Sequence, residues 1–151
     1  MIIIMLGAPG SGKGTIGKKL CDEYSLEHVA TGDIFRDEIK RGTECGVKAN
    51  EFISQGKLVP DEITIEMVLN KLKKSKNVCL DGFPRTINQA EKLDEFLNNN
   101  NDAVTAVINL SVPDEDLIKR TSSRIICPNK SCGASYKTIF LPPKVEGVCD
   151  I

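Results

Sequence analysis

The amino-acid sequence predicts an α/β fold in which a parallel β-sheet is flanked by helices. One observation is the apolar run at residues 1–6, which shows no polar alternation and is therefore typical of a strand buried on both faces. A second observation is the order of the segments, because short apolar runs alternate along the chain with segments of helical period. Strands that alternate with helices form parallel sheets with right-handed crossovers.

The helical segments are predicted from the spacing of apolar residues and from residues that begin or end helices. Residues 13–24 carry three apolar side chains on one stripe. Gly42 separates the next two helices, and Pro113 suits the first turn of the last helix. In chain order, the later helices are predicted over residues 31–41, over residues 43–55, from residue 60 onward, over residues 89–97 and after Pro113.

Three strands are predicted after the first. A short one lies near residue 29, a second covers residues 78–80, and a third covers residues 103–110. The composition changes after Arg124, because residues 125–149 are rich in cysteine, proline, glycine and β-formers and have no helical period. That last segment is predicted to form a small β insertion rather than another strand–helix unit.

Composition and charge limit the class of protein. The chain has 151 residues, of which 40% are hydrophobic and 27% charged, as expected of one folded domain with or without small insertions. Twenty basic and 21 acidic residues leave a net charge of −1, which gives no reason to expect nucleic acid or a membrane as partner. The single histidine, His28, nearly excludes a histidine-based triad and is interpreted as structural. The sequence shows no secretory signal and no membrane-length apolar run, so we predict a cytoplasmic protein.

A glycine-rich segment directly follows the first predicted strand. Residues 7–13 fit the pattern G-x-x-x-x-G-K and stand between a buried strand and a helix. Glycines let the backbone turn its N–H groups around an anion, the helix N-terminus adds positive potential, and Lys13 supplies a full charge. Gly14 stands where Ser or Thr usually contacts Mg²⁺, and Thr15 follows it. The segment predicts a site for nucleotide phosphates; the alternative is a glycine-rich turn with an incidental lysine.

Four arginines and one aspartate suit phosphoryl transfer. Arg36 and Arg85 can each pair a guanidinium with phosphate oxygens. Arg120 and Arg124 are four residues apart on one face of a helix end, where they can neutralise charge on a transferring group. Asp81 ends a predicted central strand, where α/β folds bind ligands, and can order the water shell of Mg²⁺; the alternative is a capping role.

Several segments together resemble one enzyme family. Residues 7–15, Gly-Ala-Pro-Gly-Ser-Gly-Lys-Gly-Thr, resemble the phosphate loop of adenylate kinases. The similarity continues in order through residues 31–36, 56–61 and 81–86, and then through the lid-like residues 142–147. Of these segments, Asp-Gly-Phe-Pro-Arg-Thr matches the family's pattern D-G-F-P-R followed by Thr or Ser. The resemblance covers the whole chain.

The resemblance implies a domain organisation and a reaction. The implied fold is a P-loop core over residues 1–30 and 60–122, with a helical monophosphate-binding insertion over residues 31–59 and the first part of a zinc-type lid over residues 123–151. The implied reaction is reversible, Mg²⁺-dependent phosphoryl transfer from ATP to AMP giving two ADP, by a monomer without nucleic-acid or membrane partners.

Two alternatives to that reaction stay open. One is a kinase for another nucleoside monophosphate, such as UMP or CMP, although Thr31 and Gln89 favour AMP. The other is a catalytically incompetent fragment that binds nucleotide or zinc, because the resemblance implies that the chain ends inside the lid at Ile151.

The resemblance also implies the residues of each site. The catalytic residues are Lys13, Arg85, Arg120 and Arg124. The ATP-binding residues lie in the phosphate loop and the lid and are Gly10, Ser11, Gly12, Lys13, Gly14, Thr15, Arg124, Ser135 and Tyr136. The AMP-binding residues are Thr31, Arg36, Lys57, Leu58, Val59, Gly82, Arg85 and Gln89. Within the AMP set, Gln89 reads the edge of the adenine base.

Six cysteines divide into a scattered group and a cluster. Cys127, Cys132 and Cys149 stand beside turn formers, which favours a metal site in a reducing compartment over a disulfide framework. They resemble the structural zinc ligands of many bacterial adenylate kinase lids, with a fourth ligand, Cys or Asp, expected near position 152. The alternative is three unliganded cysteines. The scattered group is predicted to be small buried hydrophobes and consists of Cys21, Cys45 and Cys79.

Overall fold

The computed structural model describes residues 1–129, 132, 134–138 and 142–151; the side chains of Arg124, Ser135 and Lys137 lie outside that description. Strands and helices alternate through most of the described chain, which confirms the predicted α/β class. In chain order the elements are β1 (Ile2–Gly7), α1 (Lys13–Tyr24), β2 (Glu27–Ala30), α2 (Thr31–Arg41), α3 (Glu44–Ile53), α4 (Asp61–Leu72), β3 (Val78–Asp81), α5 (Ile87–Asn99), β4 (Ala106–Leu110), α6 (Asp114–Ser122), β5 (Arg124–Ile126) and β6 (Ser135–Lys137).

Four strands form one sheet in the order β2-β3-β1-β4. Strand β3 pairs in parallel with both β1 and β2. The register sets Met5 of β1 and Ala30 of β2 opposite Asp81 of β3. The carboxyl ends of these three strands therefore lie level at one edge of the sheet, where ligands of open α/β sheets bind.

The hydrophobic core surrounds the two central strands. Val78, Cys79 and Leu80 of β3 are fully buried, as expected of a strand with neighbours on both sides and helices on both faces. Helices α4 and α5 contribute one apolar face each to this core. The buried side chains that form the core are Ile2, Ile4, Val29, Ile65, Val68, Leu72, Val78, Leu80, Phe83, Leu93 and Leu97.

Most predicted element bounds are close to those observed, and the differences have local causes. Helices α1 and α2 have the predicted bounds. Helix α5 begins at Ile87, two residues earlier than predicted, because the Thr86 hydroxyl caps it by accepting from the N–H of Gln89. Strand β4 begins at Ala106 rather than residue 103. The N–H of Ile2 donates there to the Thr105 hydroxyl instead of to a backbone carbonyl, so regular strand pairing starts only after Thr105.

The described chain divides into two compact units. Unit 1 comprises residues 1–6 and 13–109, and unit 2 comprises residues 7–12 and 110–151. Within unit 2, β5 and β6 form an antiparallel pair, as expected of the predicted small β insertion. The division into core, insertion and lid at residues 31–59 and 123–151 stays a prediction. No helix in the described part of the chain is both long enough and apolar enough to cross a bilayer.

Helices α2 and α3 approach each other closely at one glycine. Gly42 ends α2 in the left-handed region with φ of +65°, and Thr43 caps α3 by accepting from the N–H of Gly46. A methyl group on Gly46 would overlap the Glu38 carbonyl and lie 2.7 Å from the backbone nitrogen of Ile39. The absence of a side chain at Gly46 therefore permits the contact between these helices.

We expect the substitution Gly46→Ala to lower the free energy of unfolding by about 1–3 kcal/mol, because the added methyl forces two backbones apart. The matched control is Val47→Ala on the next, exposed residue of α3, which should change stability by no more than about 0.5 kcal/mol. Urea denaturation of the two variants measures both values. Equal midpoints for Gly46→Ala and the parent protein would contradict this account of the helix contact.

Candidate functional site

Asp81 lies beside the first turn of α1. A methyl group placed on Gly14 would be 3.8 Å from Asp81 Oδ2. The Nε2 atom of His28 is 3.6 Å from the same oxygen, and it is buried without a hydrogen-bond partner in the described part of the chain. A carboxylate thus stands next to the helix start that carries Lys13. Such an arrangement suits a hydrated divalent cation held between a carboxylate and a phosphate.

The loop over residues 7–12 is held in conformations that favour glycine. The φ angle is +140° at Gly7, +87° at Gly10 and +102° at Gly12. The Ser11 hydroxyl is buried and has no hydrogen-bond partner among the described residues. A buried hydroxyl without a partner is costly, and a bound anion or water would satisfy it. The loop therefore has the conformation and the unused donor that the predicted phosphate site requires.

Helix α6 lies against this loop within unit 2. A methyl group on Gly10 would be 2.8 Å from Thr121 Oγ1 and 3.8 Å from the Cβ atom of Arg120. This close approach requires glycine at position 10, and it brings the Cβ atom of Arg120 next to the loop. The side chain of Arg124, also predicted to act here, lies outside the described residues.

Gly82 brings Thr31 and Arg85 to one carbonyl oxygen. Arg85 Nε donates to Gly82 O at 2.7 Å, and Thr31 Oγ1 donates to the same oxygen at 3.5 Å. Gly82 has a φ of +83°, and a methyl group there would lie 2.7 Å from Arg85 Nη2. Glycine is therefore required for the arginine to lie in this position. Because Arg85 is exposed and a guanidinium has five N–H groups, several donors are left by the described residues for an anion.

Gln89 is buried, and both ends of its amide are hydrogen-bonded. Its Nε2 donates to Asp61 Oδ1 at 2.6 Å, and its Oε1 accepts from the backbone N–H of Arg85 at 2.8 Å. The second carboxylate oxygen of Asp61 accepts from the Thr86 hydroxyl at 2.6 Å. Hydrogen bonds from Thr86, and then from Gln89, lower the pKa of Asp61. The residue predicted to read the base therefore belongs to a fixed polar network.

Of the remaining predicted AMP-binding residues, Arg36, Lys57 and Leu58 are exposed and Val59 is half-buried. Arg36 forms an exposed ion pair with Asp33, one turn earlier on α2. Residues 57–59 follow α3, and the backbone N–H of Lys57 donates to Phe52 O at 2.9 Å. Leu58 is 88% exposed, so its side chain is open to solvent. The structure brings Thr31, Gly82, Arg85 and Gln89 together through direct contacts, whereas Arg36 and Lys57 contact other partners.

The predicted metal ligands lie together in unit 2. The sulfur atoms of Cys127, Cys132 and Cys149 are within 4.8 Å of one another, and the last two are 3.6 Å apart. Zinc–thiolate bonds of about 2.3 Å in a tetrahedron place two sulfurs about 3.8 Å apart. The three cysteines are therefore compatible with a zinc ion.

Tyr136 lies at this cysteine cluster. Its hydroxyl is 3.3 Å from Cys149 Sγ and accepts from the Asp150 backbone N–H at 2.7 Å. Hydrogen bonds, the strongest from Tyr136 and the next from the Ile151 backbone, lower the pKa of Cys149 to about 7. The sequence assigned Tyr136 and Ser135 to ATP binding; the side chain of Ser135 lies outside the described residues, and the role of Tyr136 stays a prediction.

The other cysteines follow the prediction in two of three cases. Cys21 and Cys79 are buried, and burial raises the pKa of Cys79 to about 12. Cys45 is only half-buried, so its thiol is more accessible than expected of a small core residue. None of the three is a member of the cysteine cluster.

A cleft of about 540 Å³ lies between β2 and helices α2, α3 and α4. Its lining contains none of the residues predicted to bind nucleotide. Charges of both signs line it, and several are already paired, among them Lys71 with Glu27 at 2.5 Å and Arg41 with Asp37 at 3.1 Å. This cleft therefore lacks the excess positive charge that a phosphate site needs.

Sequence reasoning missed two members of these sites. Asp61 was identified only as a helix start, although it is the last residue of the 56–61 segment that carries part of the resemblance. The proximity of His28 to Asp81 was also not predicted, because it depends on the pairing of β2 with β3.

The chain matches known proteins along nearly its whole length. A sequence model of the adenylate kinase family matches residues 5–143. The chain is 50% identical over 153 residues to the adenylate kinase of Lachnospira eligens, which covers 99% of this chain and 71% of that protein. It is 51% identical over 154 residues to the adenylate kinase of Caldicellulosiruptor bescii, and the match covers all of this chain and 71% of that protein. It is 48% identical over 154 residues to the adenylate kinase of Methanosarcina barkeri, and the match covers all of this chain and 70% of that protein. The conformation of the glycine loop, the arginine beside Gly82 and these identities lead to one conclusion: the chain belongs to the adenylate kinase family.

Proposed function

We propose that this protein transfers the γ-phosphoryl group of ATP to AMP, reversibly and with Mg²⁺, to give two ADP. The observation that carries the proposal is the contact cluster of Thr31, Gly82, Arg85 and Gln89, because it supplies a guanidinium for a phosphate and an amide for a base. The relatives that match this chain bear the name adenylate kinase.

On the donor side, the proposal assigns the ATP phosphates to the loop over residues 7–12, to Lys13 and to the start of α1. Its support is the glycine conformation of the loop and the buried, unpartnered Ser11 hydroxyl. Asp81 would hold the hydrated Mg²⁺, which neutralises phosphate charge when bound. Arg120 and Arg124 are assigned to the charge that develops on the transferring group.

On the acceptor side, the proposal assigns the AMP phosphate to Arg36 and Arg85 and the base to Gln89. Arg85 is exposed, and its Nε donates to Gly82 O while hydrogen bonds among the described residues use no other donor of its guanidinium, which supports a phosphate role. Arg36 would exchange its exposed Asp33 partner for the phosphate, an exchange that costs little because exposed ion pairs are weak. Residues 57–59 would close the base pocket.

The proposal requires no general base. The attacking group is a phosphate oxygen, which already carries negative charge and is a nucleophile without deprotonation. The barrier is then lowered by holding two phosphates in line and by stabilising the charge on the transferred group. Lysine and arginine side chains can do both, and these are the residue types that the predicted site contains.

The proposal includes a structural zinc ion in the predicted lid, residues 123–151. The support is the spacing of the Cys127, Cys132 and Cys149 sulfurs and the pKa of Cys149, which is about 7. A thiolate is the form that binds zinc, so a low pKa favours binding at neutral pH.

We expect Lys13→Ala to reduce turnover with ATP and AMP at least about a hundredfold, because the variant loses a full charge at the phosphates being transferred. The matched control is Lys18→Ala, which removes an exposed lysine one and a half turns later on α1. A coupled assay of ADP formation measures both variants. Turnover by Lys13→Ala equal to that of Lys18→Ala would refute the assignment of Lys13.

We expect zinc to protect Cys149 from alkylation by iodoacetamide at pH 7. The pKa of Cys149 is lowered to about 7, which favours the reactive thiolate, and a zinc-bound thiolate is not free to react. Cys79 should stay unmodified with and without zinc, because it is buried and its pKa is about 12. Peptide mapping by mass spectrometry measures the alkylated fraction of Cys149 and of Cys79.

The matched variants for the zinc experiment are Cys132→Ser and Cys45→Ser. The first removes a proposed ligand and should abolish the protection of Cys149, whereas the second removes a cysteine outside the cluster and should preserve it. Equal alkylation of Cys149 with and without zinc in the parent protein would rule out the proposed metal site.

A further inference from the structure

The Gln89 amide is held by two partners whose hydrogen-bonding roles are chemically fixed. A backbone N–H can only donate, so the Gln89 side-chain atom that lies 2.8 Å from the Arg85 nitrogen must be the amide oxygen. An ionised carboxylate can only accept, so the Gln89 side-chain atom that lies 2.6 Å from Asp61 Oδ1 must be the amide nitrogen. Rotating the amide by 180° would set its oxygen against the carboxylate and its NH₂ against an N–H. The flipped orientation would therefore lose two hydrogen bonds and create two repulsive contacts.

Asp61 is itself fixed in position. Its second carboxylate oxygen accepts from the Thr86 hydroxyl at 2.6 Å, and that same hydroxyl caps α5 by accepting from the Gln89 N–H. Hydrogen bonds from Thr86 and Gln89 hold the pKa of Asp61 below its usual range, so the group is an acceptor at neutral pH. Asp61 thus begins α4 while contacting the start of α5, 28 residues away in sequence from Gln89.

These two hydrogen bonds use one N–H and one oxygen lone pair of the Gln89 amide. The amide has a second N–H and a second lone pair, and the described residues leave both unused. A base edge that pairs with this set needs one acceptor and one donor in matching order. Adenine presents the N1 acceptor beside the 6-amino donor, whereas a 6-oxo purine such as hypoxanthine presents the N1–H donor beside the O6 acceptor. The two edges are reversed, so one fixed amide orientation can match only one of them.

We propose that Asp61 is a positioning residue that locks the Gln89 amide in one orientation and thereby makes the site discriminate AMP from monophosphates of 6-oxo purines. This inference rests on the proposed role of Gln89 in reading the base. Asp61 does not touch the nucleotide in this account; it acts by excluding the amide orientation that would accept IMP.

The test is the ratio of the dissociation constants of IMP and AMP, measured by isothermal titration calorimetry on the full chain. IMP is the sharpest probe because it differs from AMP only at the N1 and C6 edge. In Asp61→Leu the amide can rotate, and the IMP-to-AMP ratio should fall at least about tenfold, the effect expected of one mispaired buried polar group. The ratio compares two ligands on one protein, so a general loss of stability does not mimic this result.

Two variants serve as controls. Asp61→Asn can still accept from Gln89 through its side-chain oxygen and donate to the Thr86 hydroxyl, so its ratio should stay within about threefold of the parent value. Glu62→Ala removes the other carboxylate in the first turn of α4 and should leave the ratio unchanged. A melting curve for each variant confirms that it is folded at the temperature of the titration.

Three results would overturn the inference. If Gln89→Leu lowers the ratio but Asp61→Leu keeps the parent value, Gln89 reads the base without help from Asp61, and the proposed function survives. If the IMP-to-AMP ratio falls as far in Asp61→Asn as in Asp61→Leu, the carboxylate acts through its charge rather than through the hydrogen bond. If Gln89→Leu also leaves the ratio unchanged, the assignment of Gln89 as base reader fails together with the inference.

Discussion

The parallel pairing of β3 with both β1 and β2 is the constraint on which the rest of the molecule depends. It sets Met5, Ala30 and Asp81 level at one edge of the sheet. The segments that follow Ala30 and Asp81 carry Thr31 at the start of α2, and Gly82 with Arg85. The strand pairing therefore brings these predicted AMP-binding residues of unit 1 to the same edge of the sheet. Burial of Val78, Cys79 and Leu80 holds that register, because a slipped strand would expose this apolar run.

Glycine conformation and polar networks then set the local geometry. Gly82, with a positive φ, lets Arg85 and Thr31 share one carbonyl oxygen, and the Asp61–Gln89–Arg85 chain of hydrogen bonds fixes an amide nearby. Hydrogen bonds to one another hold these groups in one arrangement, and a ligand that binds groups held in this way loses less free energy to ordering. Arg36, in contrast, is exposed and paired with Asp33. If the proposed site binds AMP, it would combine these hydrogen-bonded groups with an arginine that changes partners.

Much of this arrangement could be predicted from the sequence, because its signals are local. The apolar stripe of residues 13–24 indicated α1, Gly42 indicated the end of α2, and the spacing of Gly12 and Lys13 after a buried strand indicated the phosphate loop. The bond from Gln89 to Asp61 could not be predicted, since it joins two helix starts 28 residues apart whose approach depends on tertiary packing. The contact of Tyr136 with Cys149 lies in a segment without periodicity, so no pattern indicated it. The cysteine cluster was predictable because its residue type carries the signal by itself.

The central claim is that this protein joins an ATP site to an AMP site and transfers a phosphoryl group between them. A ³¹P NMR time course with ATP, AMP and Mg²⁺ tests it most directly, because it follows every phosphorus species in one sample. The account predicts that ATP and AMP disappear together, that two ADP form for each AMP consumed, and that no inorganic phosphate is released. With CMP or UMP in place of AMP, ATP should persist far longer. Loss of ATP to ADP and inorganic phosphate with AMP unchanged, or equal rates with CMP and AMP, would contradict the account.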